Sequence, residues 1–168
     1  MLEEAGRLLG IPVFNIPYHQ KLLGEECEAY MGLADIHQYH PSADAFRDAD
    51  LVLMVGGRLD NQMNFGNPPF FQKDTTLICV NGSHEELDYN RAADEMLLSD
   101  PGAFLDALMG VGKTWDSWFD LQKQRRADWV QEWETHIAAE TVRDLADGGK
   151  MHPLQLSLDV QAEMGAED

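Results

Sequence analysis

The chain has 168 residues, enough for one domain with a real core and little more. Its formal net charge of −18 argues against nucleic acid and against an anionic membrane surface as partners, since both would repel it; the same acidity also serves solubility. Hydrophobic residues at 44% and charged residues at 25% describe an ordinary globular protein, and no apolar run reaches the roughly 18 residues a membrane span needs.

The first element in chain order is a helix, Leu2–Leu9, ended by Gly10. Its acidic, helical-period opening, MLEEAGRLLG, is unlike a secretory signal. Four apolar runs then read as buried strands: Ile11–Ile16, Leu51–Val55, Thr76–Val80 and Met96–Ser99. They are continuous rather than alternating, as strands covered on both faces are. Helices stand between them. One starts near Ser42, whose side chain is expected to cap it, and runs through Ala43, Ala45, Phe46 and Ala49. Another starts at Ser83, where Glu86 three residues on completes a capping box. A third opens on Asp100-Pro101, a cap followed by proline at the first helical position, and carries Phe104, Leu105 and Leu108.

Strands alternating with helices imply an α/β fold with a doubly wound, Rossmann-like, mostly parallel sheet. The chain opens on a helix where many such sheets open on a strand, so a first strand is expected to be absent. From Lys113 to Asp147 there is no glycine or proline, and Trp115, Trp118, Phe119, Trp129, Val130, Trp133, Ile137 and Leu145 recur at helical steps. This is a long amphipathic helix, or two joined ones, that packs on its own sheet domain or rests on another. Gly148-Gly149 break it, and MHPLQLSLDVQAEM restarts a helix just before the chain stops, as a piece of a longer polypeptide would.

Several patterns hint at chemistry, and most have structural explanations. ALMGVGKT, Ala107–Thr114, fits a loose phosphate-loop pattern. That loop needs a strand before it, yet AFLDALM is helical, so Gly110 and Gly112 read as helix-ending glycines. His37 and His40 lie three apart with Asp35 near, but no third strong ligand stands in a fixed relation to them. Ser42, Ser83 and Ser99 read as caps. Cys27 and Cys79 lack CxxC spacing and give no metal or redox signature; Cys79, inside LICV, reads as a buried small hydrophobe in a reducing, cytoplasmic protein.

LVLMVGGRLDNQMNFGNPP says most. A strand runs into Gly56-Gly57-Arg58, and in open α/β sheets the ligand crevice lies at the carboxyl ends of the strands. Glycines there admit a ligand to the backbone, and an arginine pairs with phosphate or stacks on a flat ring. The alternative is a tight turn with Arg58 bridging Asp60. Asn81-Gly82 and Asp100 occupy the ends of the next two strands.

The succession GIPVF, a loop with MGL, ADAFRDADLVLMVGGRLD, TTLICVNGSHEELDYNRAAD and MLLSDPGAFLDAL resembles the central domain of thiamine-diphosphate enzymes, the group of acetolactate synthase, oxalyl-CoA decarboxylase and 2-hydroxyacyl-CoA lyase. The likeness covers about Ala5 to Met109. RLDNQMNFGNPPFF and EELDYN look closest to the acyl-CoA lyase and oxalyl-CoA decarboxylase branch, and MHPLQLSLDVQAEM resembles the start of the pyrophosphate-binding domain that follows in such enzymes. The resemblance implies a central Rossmann-like domain over 1–110, a helical linker over 111–150 and the start of the next domain over 151–168. It implies a structural role, with no catalytic residue and no metal ligand here. The glutamate that activates the cofactor lies in the family's N-terminal domain, and the GDG motif that holds magnesium and diphosphate lies in its C-terminal domain. Thiamine diphosphate and magnesium are thus expected in the parent enzyme and not on this segment. Its partners are the parent's N- and C-terminal domains, in a homodimer or homotetramer.

Some members bind FAD or ADP on the central domain. Carried over by position, that nucleotide lies at Gly56, Gly57 and Arg58, with Asn81 and Asp100 near its adenosine end. Three departures weaken that site. The usual first strand with its glycine-bearing loop is absent, Asn81 stands where an acidic residue is frequent, and Tyr18-His19-Gln20-Lys21 replaces a glycine–lysine–glycine turn. A free-standing Rossmann-like module that binds a nucleotide or docks a protein through its tryptophan-rich helix is the alternative function.

Overall fold

The computed structural model describes residues 1–17, 22–37, 40–146, 151 and 153–164. Two expected features, the Tyr18–Lys21 turn and the Gly148-Gly149 break, lie outside them. The chain divides into two compact units, Met1–Arg126 and Ala127–Asp168.

The first unit is an α/β domain in which every strand pairing is parallel. Helix α1 (Leu2–Leu9) leads to β1 (Val13–Asn15) and β2 (Tyr30–Leu33); α2 (His40–Asp48) leads to β3 (Leu51–Val55), β4 (Thr76–Asn81) and β5 (Glu95–Leu98), and α3 (Pro101–Met109) follows. β1 pairs with β2, and β3, β4 and β5 form a second, three-stranded sheet in that order. Gly10 stops α1 by turning to φ +64, a conformation in which a side chain would be strained.

The sheet is wound on both faces. Val52, Met54, Leu77 and Cys79 join Ala43 and Phe46 of α2 in one buried cluster, where Phe46 stacks on Phe71 at 5.2 Å between ring centres. On the opposite face Ile78 and the partly buried Leu53 line a cavity together with Leu105 of α3 and Ala5 of α1. Leu77, Val80 and Phe71 are fully buried. At about 25 cal/mol per Å² of apolar surface removed from water, such side chains supply most of what holds the layers together. β5 departs from the expectation of strands covered on both faces. It is an edge strand paired with β4, and Met96, Leu97 and Leu98 are all exposed.

Two expected caps do not form. Ser42 lies inside α2, which starts at His40, and its hydroxyl donates to the Asp35 carbonyl. Ser83 opens a single turn, His84–Glu86, with no side-chain cap, and the Glu86 carboxylate accepts from Arg58 rather than closing a capping box. Asp100 does cap α3, accepting from the Ala103 amide at 3.0 Å, with Pro101 in the first turn. β2 has no signature in the sequence: its four residues, YMGL, are too few to carry a period, and Gly32 breaks the apolar run.

The long helix is one element, α4 (Asp116–Ala146). Its turns up to Arg126 belong to the first unit. Phe119 enters a second core cluster with Leu23, Cys27, Ala29, Tyr30 and Met31. Arg126 donates to the Tyr30 carbonyl at 2.8 Å and pairs with Glu25, while Lys123 pairs with Glu28 and Arg125 with Asp48. In the second unit α4 continues and is followed by α5 (Pro153–Glu163). There Trp129 and Trp133, four residues apart, stack at 5.8 Å with planes 5° apart, and His136 lies 5.9 Å beyond Trp133. The tryptophan stripe is thus divided, with Trp115 and Trp118 in the first unit and Trp129 and Trp133 in the second.

Candidate functional site

The parallel register sets Val55 beside Val80, and Val80 beside Leu97. The residues that follow these strands therefore emerge at one edge: Gly56, Gly57 and Arg58 after β3, Asn81 at the end of β4, and Asp100 after β5. The sequence expectation of a shared carboxyl edge matches this arrangement.

What these groups touch is mostly the protein itself. Gly56 has φ +70, and a side chain there would meet the Pro101 ring at 3.5 Å. A Cβ on Gly57 would collide with the Ile16 side chain and sit 3.1 Å from the Met54 sulfur, so this glycine serves close packing. Arg58 pairs with Glu86 at 2.6 Å, and its guanidinium lies 4.8 Å from the centre of the Tyr89 ring. Asp60, the partner weighed for Arg58 from the sequence, instead accepts from the Gln62 amide at 2.9 Å and caps the turn Asn61–Gly66. The Asn81 side-chain oxygen, Oδ1, accepts from the Ser83 amide at 3.0 Å. Asp100 holds the end of α3.

The stretches RLDNQMNFGNPPFF and EELDYN form one structural unit at this edge. Besides the Arg58 contacts, the Asn90 side-chain amide donates to the Leu59 carbonyl. Arg91 donates to the carbonyls of Gly66 at 3.1 Å and Thr75 at 2.7 Å. Arg91 went unremarked in the sequence because arginines that clamp backbone carbonyls have no spacing signature. Glu86 has the spacing of a capping residue, and its partner lies 28 residues back.

The other patterns resolve simply. His37 has its Nε2 3.0 Å from the Asn61 carbonyl, and its backbone amide donates to Asp35. Among the described residues no three His, Cys, Asp or Glu side chains stand together as metal ligands would. A helix, α3, precedes Gly110, as expected against a phosphate loop. Both cysteines are buried thiols. Burial, aided by the Asp88 carboxylate, pushes the Cys79 thiol up and keeps it protonated. Among the described residues no helix is long and apolar enough to cross a membrane.

A second feature of the first unit is a cavity of about 900 Å³. β1, β3, α1, α3, Trp115 and Trp118 all line it. Asn15 of β1 is 5% exposed; its side-chain amide donates to the Leu23 carbonyl at 3.0 Å, while its side-chain oxygen has no hydrogen-bond partner among the described residues.

A parallel α/β domain wound on both faces, with its loops gathered at the carboxyl edge, defines a Rossmann-like class. The chain matches the family described as thiamine pyrophosphate enzyme, central domain, over residues 1–108. It belongs to that family. The enzymes that carry such a central domain have further domains beside it and use thiamine pyrophosphate.

Proposed function

We propose that this chain is a non-catalytic, structural central domain of a thiamine-diphosphate enzyme that acts on C–C bonds of 2-keto acids or of 2-hydroxyacyl- or oxalyl-CoA. The observation that carries the reading is the engagement of the carboxyl edge in structural contacts. Arg58 is held by Glu86 and Tyr89, Asn81 by the Ser83 amide, Asp100 by α3, and Gly57 is covered by Ile16. Groups so arranged order loops and a helix end. In this reading residues 1–110 are the domain, 111–150 the helical connection, and 151–168 the approach to the pyrophosphate-binding domain. Thiamine diphosphate and magnesium belong to neighbouring domains of a homodimeric or homotetrameric parent.

An adenine nucleotide such as ADP or FAD would meet Gly56, Gly57, Arg58, Asn81 and Asp100 only after Arg58 leaves Glu86. Losing that pair and ordering the ligand offset the roughly 1.5–3 kcal/mol of a charge-assisted hydrogen bond. Binding is therefore millimolar or weaker. The catalytic half of the reading is tested by supplying thiamine diphosphate and magnesium with pyruvate, oxalyl-CoA or a 2-hydroxyacyl-CoA. No turnover above a buffer blank is expected, and measurable turnover of any of the three overturns it.

A further inference from the structure

The turn of α4 from Lys123 to Arg126, KQRR, carries three of the chain's 12 lysines and arginines, against 30 aspartates and glutamates in all. It lies against the loop before β2, whose residues 25–28 read EECE. Lys123 pairs with Glu28, Arg126 with Glu25, and Arg125 with Asp48 at the end of α2. The Arg126 guanidinium also lies 5.5 Å from the centre of the Tyr30 ring. Scarce cations are thus concentrated where an acidic block faces them. All three carboxylates are exposed, so every pair is open to water and to screening by salt.

The packing beneath these pairs is weak. A helix docks chiefly through an apolar face. Over Asp116–Arg126 the buried side chains are Phe119 and Gln122. Phe119 joins Cys27, Tyr30 and Met31 in their cluster. Gln122 is 1% exposed, yet among the described residues neither its side-chain nitrogen nor its side-chain oxygen has a hydrogen-bond partner, and Arg125 Nη1 is buried in the same condition. Taking an amide out of water without replacing its hydrogen bonds opposes docking. Gln122 stands three residues from Phe119 and four from Arg126, on one face of the helix, so the unfavourable group lies at the middle of the dock. The start of the helix is pinned separately: the Trp115 amide donates to the Leu9 carbonyl at 2.9 Å.

We propose that Phe119–Arg126 is a releasable strap: this stretch of α4 lifts from the first unit, pivoting near Trp115, while both sheets stay folded. Ionic attraction closes the strap and burial of Gln122 opposes closure, so its balance follows ionic strength. Opening uncovers Cys27, which is 3% exposed in the cluster that Phe119 completes. Cys79 stays covered, because it belongs to the other core cluster with Val52 and Leu77. The two cysteines therefore report separately on the strap and on the sheet. Neither turnover nor nucleotide binding enters this inference.

Labelling of the full chain with N-ethylmaleimide, each cysteine followed by peptide mass spectrometry, tests it. Each thiol is compared with itself at roughly 10 mM and roughly 1 M KCl, where the screening length falls from about 30 Å to about 3 Å. The Cys27 rate should rise about tenfold as three exposed pairs are screened together. The Cys79 rate should hold or fall, since salt also relieves the self-repulsion of a chain with net charge −18. A Cys27 rate that salt leaves unchanged or lowers overturns the proposal, as does a parallel rise at both cysteines, which reports opening of the whole unit. The double variant Lys123→Gln, Arg126→Gln should label Cys27 quickly at low salt and lose most of the salt response. A response that persists in it overturns the proposal, because salt then acts on the thiol beside Glu25, Glu26 and Glu28 and not on the strap. Gln122→Leu removes the opposing term and should slow Cys27 labelling at least about fivefold. A folded Gln122→Leu chain that labels as fast as the parent counts against the proposal; if rapid Cys79 labelling shows that chain unfolded, the double variant decides alone.

Discussion

The carboxyl edge and the cavity between β1 and β3 differ in a way that composition does not reveal. The edge is polar and reads as a ligand site, yet its side chains bond one another: Arg58 to Glu86, Asn81 to the Ser83 amide, Asp100 to the Ala103 amide. The cavity wall is apolar and reads as core, yet among the described residues it holds a buried oxygen on Asn15 with no partner and two strand edges without strand neighbours. Polar residue type is therefore a poor guide to availability. Buried polar groups are nearly always satisfied, so an unsatisfied one reports more than a satisfied cluster does.

The largest expected effect sets the closed core against the cavity wall. Leu77 on β4 is fully buried, whereas Leu53 on β3 is only partly buried and lines the cavity. Leu77→Ala should cost about 2–5 kcal/mol. Leu53→Ala should cost about 1 kcal/mol, because less surface leaves an apolar environment. Denaturant midpoints measure both, and equal losses would break the contrast.

Next come the contacts of the edge. Asp100→Ala removes the cap of α3 and should cost about 1 kcal/mol, read the same way. Arg58→Ala removes a pair whose members are 44% and 28% exposed, so it should cost no more than about 1 kcal/mol. An Arg58 effect larger than that of Asp100 would mean that the RLDNQMNFGNPPFF and EELDYN stretches hold together through this pair above all.

The smallest effect lies on the surface. A hydrogen bond from Lys123, and then its charge, hold the Glu28 carboxyl below its ordinary 4.5, and the same bond raises Lys123 above 10.5. The Glu28 contribution is present above pH 4.5 and is lost as pH falls through its lowered folded value; that of Lys123 is present below pH 10.5 and is lost as pH rises through its raised value. The midpoint difference between the chain and Glu28→Gln should be small at neutral pH and vanish in acid. A difference that grows in acid would reverse the assigned sign.

Much of the fold was legible because its signals are local. Asp100-Pro101 announced α3, Gly10 ended α1, and continuous apolar runs marked β3 and β4. β2 carries no such signal, because four residues interrupted by Gly32 are too few to show a period. Ser83 and Glu86 satisfied the spacing of a capping box, but spacing cannot show that Glu86 has a stronger partner in Arg58, 28 residues away. The positions of Gly56, Gly57, Arg58, Asn81 and Asp100 at one edge followed from parallel topology. Their engagement with Ile16, Tyr89 and the Ser83 amide depends on contacts that no local pattern encodes.

Calorimetric titration of the full chain with ADP and with FAD, repeated on Arg58→Ala, tests the central claim most directly. An edge engaged in structural contacts predicts millimolar or undetectable binding that the substitution leaves unchanged. A micromolar constant that Arg58→Ala abolishes would contradict it, making the edge a working nucleotide site and Glu86 only a placeholder for phosphate.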